Sequence, residues 1–300
     1  MRTFLAAVLF LAGLSITGSP AQPAGTKAPS RFRLPSGVKV LKDLEYGRVA
    51  NRAMRLDLYL PEQGLKPIPL IIWIHGGAWL GGSKDDPSPA LEFTARGFAV
   101  AQVGYRKSQE AVFPAQIHDC KAAVRWLRAN AQKYGLDPEK FVAWGASAGG
   151  HLAALLGTSG GVEELEGKVN ELKESSRVQA VVDWFGQTDL LHLGDAPSRI
   201  AHNAPDSPGS KLIGGPLLEN RDKAAKASPI TYVAQGAPPF LIMHGDRDRS
   251  VPFSQSELLY AALKKAGVDA TFVPVKGAGH GFGGPDAIKP VEDFLKRCFR

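Results

Sequence analysis

The sequence predicts an α/β domain built on a mostly parallel sheet with helices on both faces, and three observations lead there. Short apolar runs rich in Val, Ile, Phe and Trp recur along the chain, with stretches of helical period between them. One serine, in "AWGASAGGHLAALLG" (143–157), is crowded by small residues where an apolar run passes into a helical one. Runs that are apolar at every position suit strands buried on both faces, and strands alternating with helices imply crossover units in a parallel sheet.

The first residues carry Arg2, an apolar stretch from Phe4 to Ile16, and small residues at Ser19 and Ala21. That order predicts a secretory signal over 1–21 and an exported protein; the stretch is short for a membrane span, so no stable membrane insertion is expected. Residues 22–35, rich in Pro, Ser and basic side chains, read as a flexible lead-in. The remainder, 36–300, is long enough for one domain with a full core.

Within it, "GVKVLKDLEYG" (37–47) and "MRLDLYLP" (54–61) alternate apolar with polar residues, the pattern of an antiparallel hairpin at a sheet edge. The buried strands are "PLIIWI" (69–74), "FAVAQVGY" (98–105), "FVAW" (141–144), "VQAVVDWF" (178–185), "PFLIMH" (239–244) and "ATFVPV" (270–275). One helix is predicted over 113–135, with Ile117, Cys120, Val124, Leu127 and Ala131 at helical spacing, Pro114 near its start and Gly135 at its stop. A second spans 254–267, with Leu259, Ala262, Leu263 and Ala266 apolar, and a last one runs from Pro290 to Phe299. The stretch 186–237, dense in Gly, Pro, Asp and Lys, breaks this rhythm and reads as a small cap insertion over the site. No internal repeat is visible.

The net charge of +7 comes from scattered Lys and Arg, which describes a basic surface and matches no nucleic-acid motif. Two cysteines, Cys120 and Cys298, do not make a disulfide framework and are expected as core-facing thiols. No H-E-x-x-H or paired His and Cys spacing suggests a metal, Gly81-Gly82-Ser83-Lys84 lacks the spacing of a phosphate loop, and no cofactor is expected. Nothing in the sequence sets an oligomeric state.

The chemistry centres on Ser147, in the G-x-S-x-G pattern Gly145–Gly149 between a predicted strand and a predicted helix. The flanking glycines permit the sharp turn that lifts a hydroxyl above the sheet. A weak hydroxyl needs a base, and the base needs an orienting carboxylate. His280, in the glycine-rich loop "KGAGHGFGG" after a strand, is the expected base. His75, His151 and His244 read as structural, and His118, His192 and His202 have no context that argues for catalysis. The carboxylate comes from "HGDRDRSVP": Asp248, deeper in the loop, is preferred, and Asp246 is expected to stabilise the turn through its own backbone. An oxyanion needs backbone donors, and "HGGAWLGGSK" offers the N–H groups of Gly76, Gly77 and Ala78, completed by that of Ala148. Trp79 and, in the cap, Leu212, Ile213, Leu217 and Leu218 are candidates for the pocket wall.

Together "HGGAW", "GASAGGHLAALLG", "HGDRDRSVP" and "GAGHGFG" resemble the α/β-hydrolase superfamily, specifically bacterial esterases and lipases with an HGGxW oxyanion loop, a group that includes feruloyl-esterase-like and acetyl-esterase-like proteins and is similar to the kynurenine formamidases. The resemblance covers roughly residues 38 to 300. It implies Ser147, Asp248 and His280 as the triad and Gly76, Gly77, Ala78 and Ala148 as the oxyanion hole. Hormone-sensitive-lipase-like esterases carry a third glycine where this chain has Ala78, which sets that branch apart. The expectation is an exported serine carboxylesterase acting on a small ester or an esterified polysaccharide. The alternatives are an amidase or formamidase with the same triad and a non-catalytic binding protein on the same fold.

Overall fold

In the computed structural model, which describes residues 34–62 and 67–299, eight strands form one sheet in the order β1-β2-β4-β3-β5-β6-β7-β8. The expected signal over 1–21, and all but the last two residues of the lead-in, lie outside the described residues. The strands are β1 (Val38–Val49), β2 (Arg52–Pro61), β3 (Ile68–Ile74), β4 (Ala99–Val103), β5 (Leu136–Ala146), β6 (Ala180–Trp184), β7 (Phe240–Gly245) and β8 (Ala270–Val275). β1 and β2 form the expected antiparallel hairpin at one edge, and every pairing from β4 through β3 to β8 is parallel. β2 joins the sheet by an antiparallel ladder to β4. Pro274, which cannot donate to a ladder, lies in β8 at the other edge, where one side of the strand needs no partner.

Continuous apolar runs appear where both faces are covered. Along β3 and β5, Leu70, Ile72, Ile74, Phe141 and Ala143 pack into one core cluster, and Ile71, Trp73, Val142 and Trp144 into another on the opposite face. The first cluster takes the apolar stripes of α1 (Ala115–Ala129), α3 (Ala148–Thr158) and α6 (Ser254–Lys265). The second takes a 3-10 helix (Pro89–Arg96) and α7 (Pro285–Cys298). Period-2 alternation along a strand sends neighbouring residues to opposite faces, so a strand between two helix layers must be apolar throughout.

Two helix expectations change. The helix over 113–135 is broken at Asn130 into α1 and a short α2 (Ala131–Tyr134). Asn130 leaves helical geometry at φ −101°, ψ 11°, and its amide bonds back to the Trp126 carbonyl, the local competition that disfavours Asn inside helices. α7 starts at Pro285 rather than Pro290, because Pro285 fits the first turn, where an N–H would be unpaired anyway. The insertion 186–237 carries α4 (Pro208–Ile213), α5 (Arg221–Lys226) and two 3-10 turns. Cys120 is a buried core thiol as expected, whereas Cys298 is half-buried against the second cluster.

Trp144, fully buried on β5, meets Trp73, Trp184 and Phe93 edge-on, with ring centroids 5.0–5.5 Å apart. Its indole N–H has no partner among the described residues. Trp144→Ala is expected to cost about 3–5 kcal/mol of stability, read by urea unfolding. Trp144→Phe, which keeps a ring and removes the unpaired N–H, is expected to cost markedly less; equal costs would mean that packing around the ring contributes little.

Candidate active site

The carboxyl ends of β3, β5, β6, β7 and β8 lie along one edge of the sheet, because those strands are parallel, and the loops that leave them bring the predicted residues together. Ser147 stands between β5 and α3 at φ 56°, ψ −123°, a conformation that costs a non-glycine residue about 1–3 kcal/mol. The turn is held by its N–H donating to the Trp184 carbonyl (2.8 Å) and by its carbonyl accepting from His151 N–H (2.9 Å). The glycines are required by space. A Cβ on Gly145 would overlap the Gly149 carbonyl, and one on Gly149 would overlap the carbonyls of Ile74 and His75.

Ser147 Oγ lies 3.0 Å from His280 Nε2, and His280 Nδ1 lies 2.7 Å from Asp248 Oδ2. A carboxylate only accepts, so Nδ1 carries the proton and Nε2 is left to accept from the serine hydroxyl. Asp248 is buried, and its Oδ1 accepts from the N–H groups of Ser250 (2.7 Å) and Val251 (3.1 Å). Its Oδ2 also receives His244 Nε2–H at 3.2 Å. Burial opposes charge here, but the hydrogen bonds from His244, His280 and Ser250 N–H outweigh it and hold the carboxyl well below the usual carboxylate range.

Asp246 does not serve its own turn. It accepts from Gly277 N–H at 2.6 Å, while Arg247 N–H reaches the Ala278 carbonyl at 2.9 Å, so the Asp248 loop and the His280 loop are clasped together.

The loop after β3 brings Gly77, Ala78 and Trp79, all at positive φ, beside Ser147. Among the described residues, the N–H groups of Gly77, Ala78 and Ala148 donate to no backbone acceptor. His75 fixes this loop: its Nδ1–H donates to the Gly76 carbonyl (2.7 Å) and its Nε2 accepts from Lys107 Nζ (2.9 Å). The peptide is planar and trans, so turning the Gly76 carbonyl toward His75 turns the Gly77 N–H away from it. Burial, helped by the Lys107 charge, pushes the His75 pKa down to about 4 and keeps the ring neutral. Gly76 passes so close to the carbonyl of Ala146 that a Cβ there would meet it at 2.8 Å.

The three histidines read as structural are all buried, and none is the partner of Ser147. His151 accepts from Trp79 Nε1–H (3.2 Å) and donates to the Ala227 carbonyl (2.7 Å), and burial pushes its pKa down to about 4. His244 accepts from the Ser256 hydroxyl at 2.7 Å.

Ser147 and His280 open onto a cavity of about 350 Å³, lined also by Gly77, Ala78, Trp79, Gln187, Leu193, Ile200, His202, Pro208, Gly209, Ser250 and Val251. Trp79 is in the wall, as expected. Leu212 and Ile213 are not: Leu212 is buried in the first core cluster, and Ile213 lies in that cluster beside a separate depression with Val112 and Phe113. They fall on the inward side of α4, whereas its start, Pro208 and Gly209, faces the cavity. Leu217 is likewise core, and Leu218 is exposed. The wall residues missed from the sequence come mostly from the insertion, where no periodic signal separates cavity-facing from core-facing side chains. His202 is among them, held by Ser250 O at 2.9 Å.

A family model described as BD-FAE matches residues 56–263. This chain belongs to the BD-FAE family of α/β-hydrolase esterases. Among curated relatives, Esterase LipC of Mycobacterium tuberculosis is 32% identical over 220 residues, 72% of this chain and 54% of that protein. The chain spans about half the length of the curated relatives it matches. A solved truncated form of a carbohydrate esterase from gut microbiota superposes with a TM-score of 0.80 at 35% identity, covering 91% of this chain and 99% of that one. Esterase Est2 of Thermogutta terrifontis with propionate bound gives 0.71 at 28% identity, covering 88% and 95%.

Because the Asp248 carboxyl titrates lower in the folded chain than in the unfolded one, its contribution to stability is full above about pH 4 and is lost as the pH falls below that. Asp248→Asn is therefore expected to be less stable than wild type at pH 7, with the gap narrowing between about pH 4 and pH 2 in urea midpoints. A gap constant with pH would contradict the charged, hydrogen-bonded state of Asp248.

Proposed function

We propose that the protein is a serine carboxylesterase that cleaves short acyl esters through a covalent acyl-enzyme. The observation that carries this reading is the unbroken line of hydrogen bonds from Ser147 Oγ through His280 to buried Asp248, opening onto the cavity. Ser147 Oγ attacks the ester carbonyl carbon while His280 Nε2 takes its proton, and Asp248 holds the ring and balances the imidazolium charge. The oxyanion is met by the N–H groups of Gly77, Ala78 and Ala148, which have no competing backbone acceptor among the described residues. His280 then passes the proton to the leaving alkoxide as the ester C–O bond breaks. Water adds to the acyl-enzyme by the same route, its proton going to His280 and on to Ser147 Oγ as the acid departs.

A cavity of about 350 Å³ is near the small end of ligand sites, which supports a short acyl group. We take the ester to be an acetyl or feruloyl group on plant polysaccharide. The likeness to a carbohydrate esterase at 35% identity supports this step, and the leader-like residues 1–21 support an exported enzyme that meets polymer outside the cell.

The test is the set of acids released from acetylated, feruloylated xylan, with 4-nitrophenyl acetate alongside. Wild type is expected to release acetate or ferulate, and Ser147→Ala to lose activity by roughly 10⁴-fold or more. Hydrolysis of the small ester alone would remove the polysaccharide assignment, and an active Ser147→Ala would remove the mechanism. Asp248→Asn is expected to lower kcat by about 10³–10⁴-fold with a much smaller change in KM.

A further inference from the structure

Gln187 lies in the loop after β6 and is one of the polar residues lining the cavity, with Ser147, His202, Ser250 and His280. The residue is 6% exposed, yet its amide makes no hydrogen bond to any described residue, and Oε1 is fully buried without a partner. The backbone around it is held firmly without it. Thr188 and Asp189 N–H both donate to Gln255 Oε1 at 2.8 Å, and Leu190 N–H donates to Ser228 Oγ at 2.9 Å. The loop therefore holds Gln187 in the cavity wall while taking no support from its amide.

We propose that Gln187 is a specificity-determining residue that binds a hydroxyl group of the substrate. A buried amide with no partner is costly to leave unmade, and a ligand that completes it is selected over one that cannot. A hydroxyl both donates and accepts, so it satisfies the amide whichever way its oxygen and nitrogen are turned. A charged substituent does not suit the site, because among the described residues no Lys, Arg, Asp or Glu lines the cavity to balance it. The apolar part of the wall is Trp79, Leu193, Ile200, Pro208 and Val251, with His202 and Ser250 beside it, which suits a ring or chain bearing such a hydroxyl near the ester.

This inference rests on the esterase reading and names the feature of the ester that the site selects. Two sources offer the same hydroxyl: the alcohol, as in a sugar, and the acyl group, as in a phenolic acid. The test compares wild type with Gln187→Met, similar in length and without hydrogen-bonding capacity, on two matched pairs. The first pair is a methyl 3-O-acetylxyloside and tetrahydropyran-4-yl acetate, the same ring without its hydroxyls. The second is methyl 4-hydroxycinnamate and methyl cinnamate.

Gln187→Met is expected to lower kcat/KM about 10- to 100-fold for the hydroxylated member of one pair, leaving its unhydroxylated partner within about 3-fold. Loss in the first pair places the hydroxyl in the alcohol, and loss in the second places it in the acyl group. Equal change on both members of each pair, or no change at all, overturns the inference while the esterase reading stands. A folded wild type inactive on all four esters overturns the esterase reading and this inference with it. The melting temperature of Gln187→Met is expected to be unchanged or raised, since the loop is pinned by Gln255 and Ser228 and the substitution removes an unpaired buried oxygen.

Discussion

The arrangement depends on how closely three backbone segments approach one another at the end of β5. Gly145 and Gly149 close the strand-to-helix turn over a distance that admits no Cβ, and Gly149 also rests against the carbonyls of Ile74 and His75 at the end of β3. Gly76, one residue on, passes the carbonyl of Ala146 just as tightly. The loop after β3 and the serine turn are therefore packed as one backbone layer, and the distance from Ser147 to the Gly77 and Ala78 N–H groups is set by main chain rather than by adjustable side chains. The positive φ of Ser147 is tolerated because the Trp184 and His151 hydrogen bonds fix both sides of it.

Around that layer, buried neutral histidines act as struts. His75 ties the Gly76 carbonyl to Lys107, and His151 ties Trp79 to the Ala227 carbonyl in the insertion. In each ring one nitrogen donates and the other accepts, so its tautomer is set by its neighbours, and burial keeps both rings uncharged at neutral pH. His280 differs in being partly open to solvent and in facing a hydroxyl on one side and a carboxylate on the other. That placement, rather than residue type, is what suits it to move a proton.

Asp248 and His280 arrive on separate loops, and their alignment comes from contacts between the loops themselves. The Asp246–Gly277 and Arg247–Ala278 hydrogen bonds clasp them, and a Cβ on Gly245 would collide with the carbonyls of Ala278 and Gly279. Phe185 closes the third side with its ring against His280, 4.9 Å between centroids. The insertion after β6 then adds Leu193, Ile200, His202, Pro208 and Gly209 as the outer wall.

The sequence by itself determined the parallel sheet, the edge hairpin, and Ser147, Asp248 and His280 as the residues that meet, because these depend on local pattern: continuous apolar runs, alternation, and glycines flanking a serine between strand and helix. It also separated Asp248 from Asp246 by depth in the loop. Only the tertiary structure decided that Asp246 clasps the neighbouring loop, that Leu212 and Ile213 belong to the core instead of the cavity, and that Gln187 and His202 stand in its wall. Those outcomes depend on which side of a short, irregular insertion faces the sheet and which faces the site. Helices of six residues such as α4 and α5 are too short for a period to show a face, so tertiary packing makes the choice.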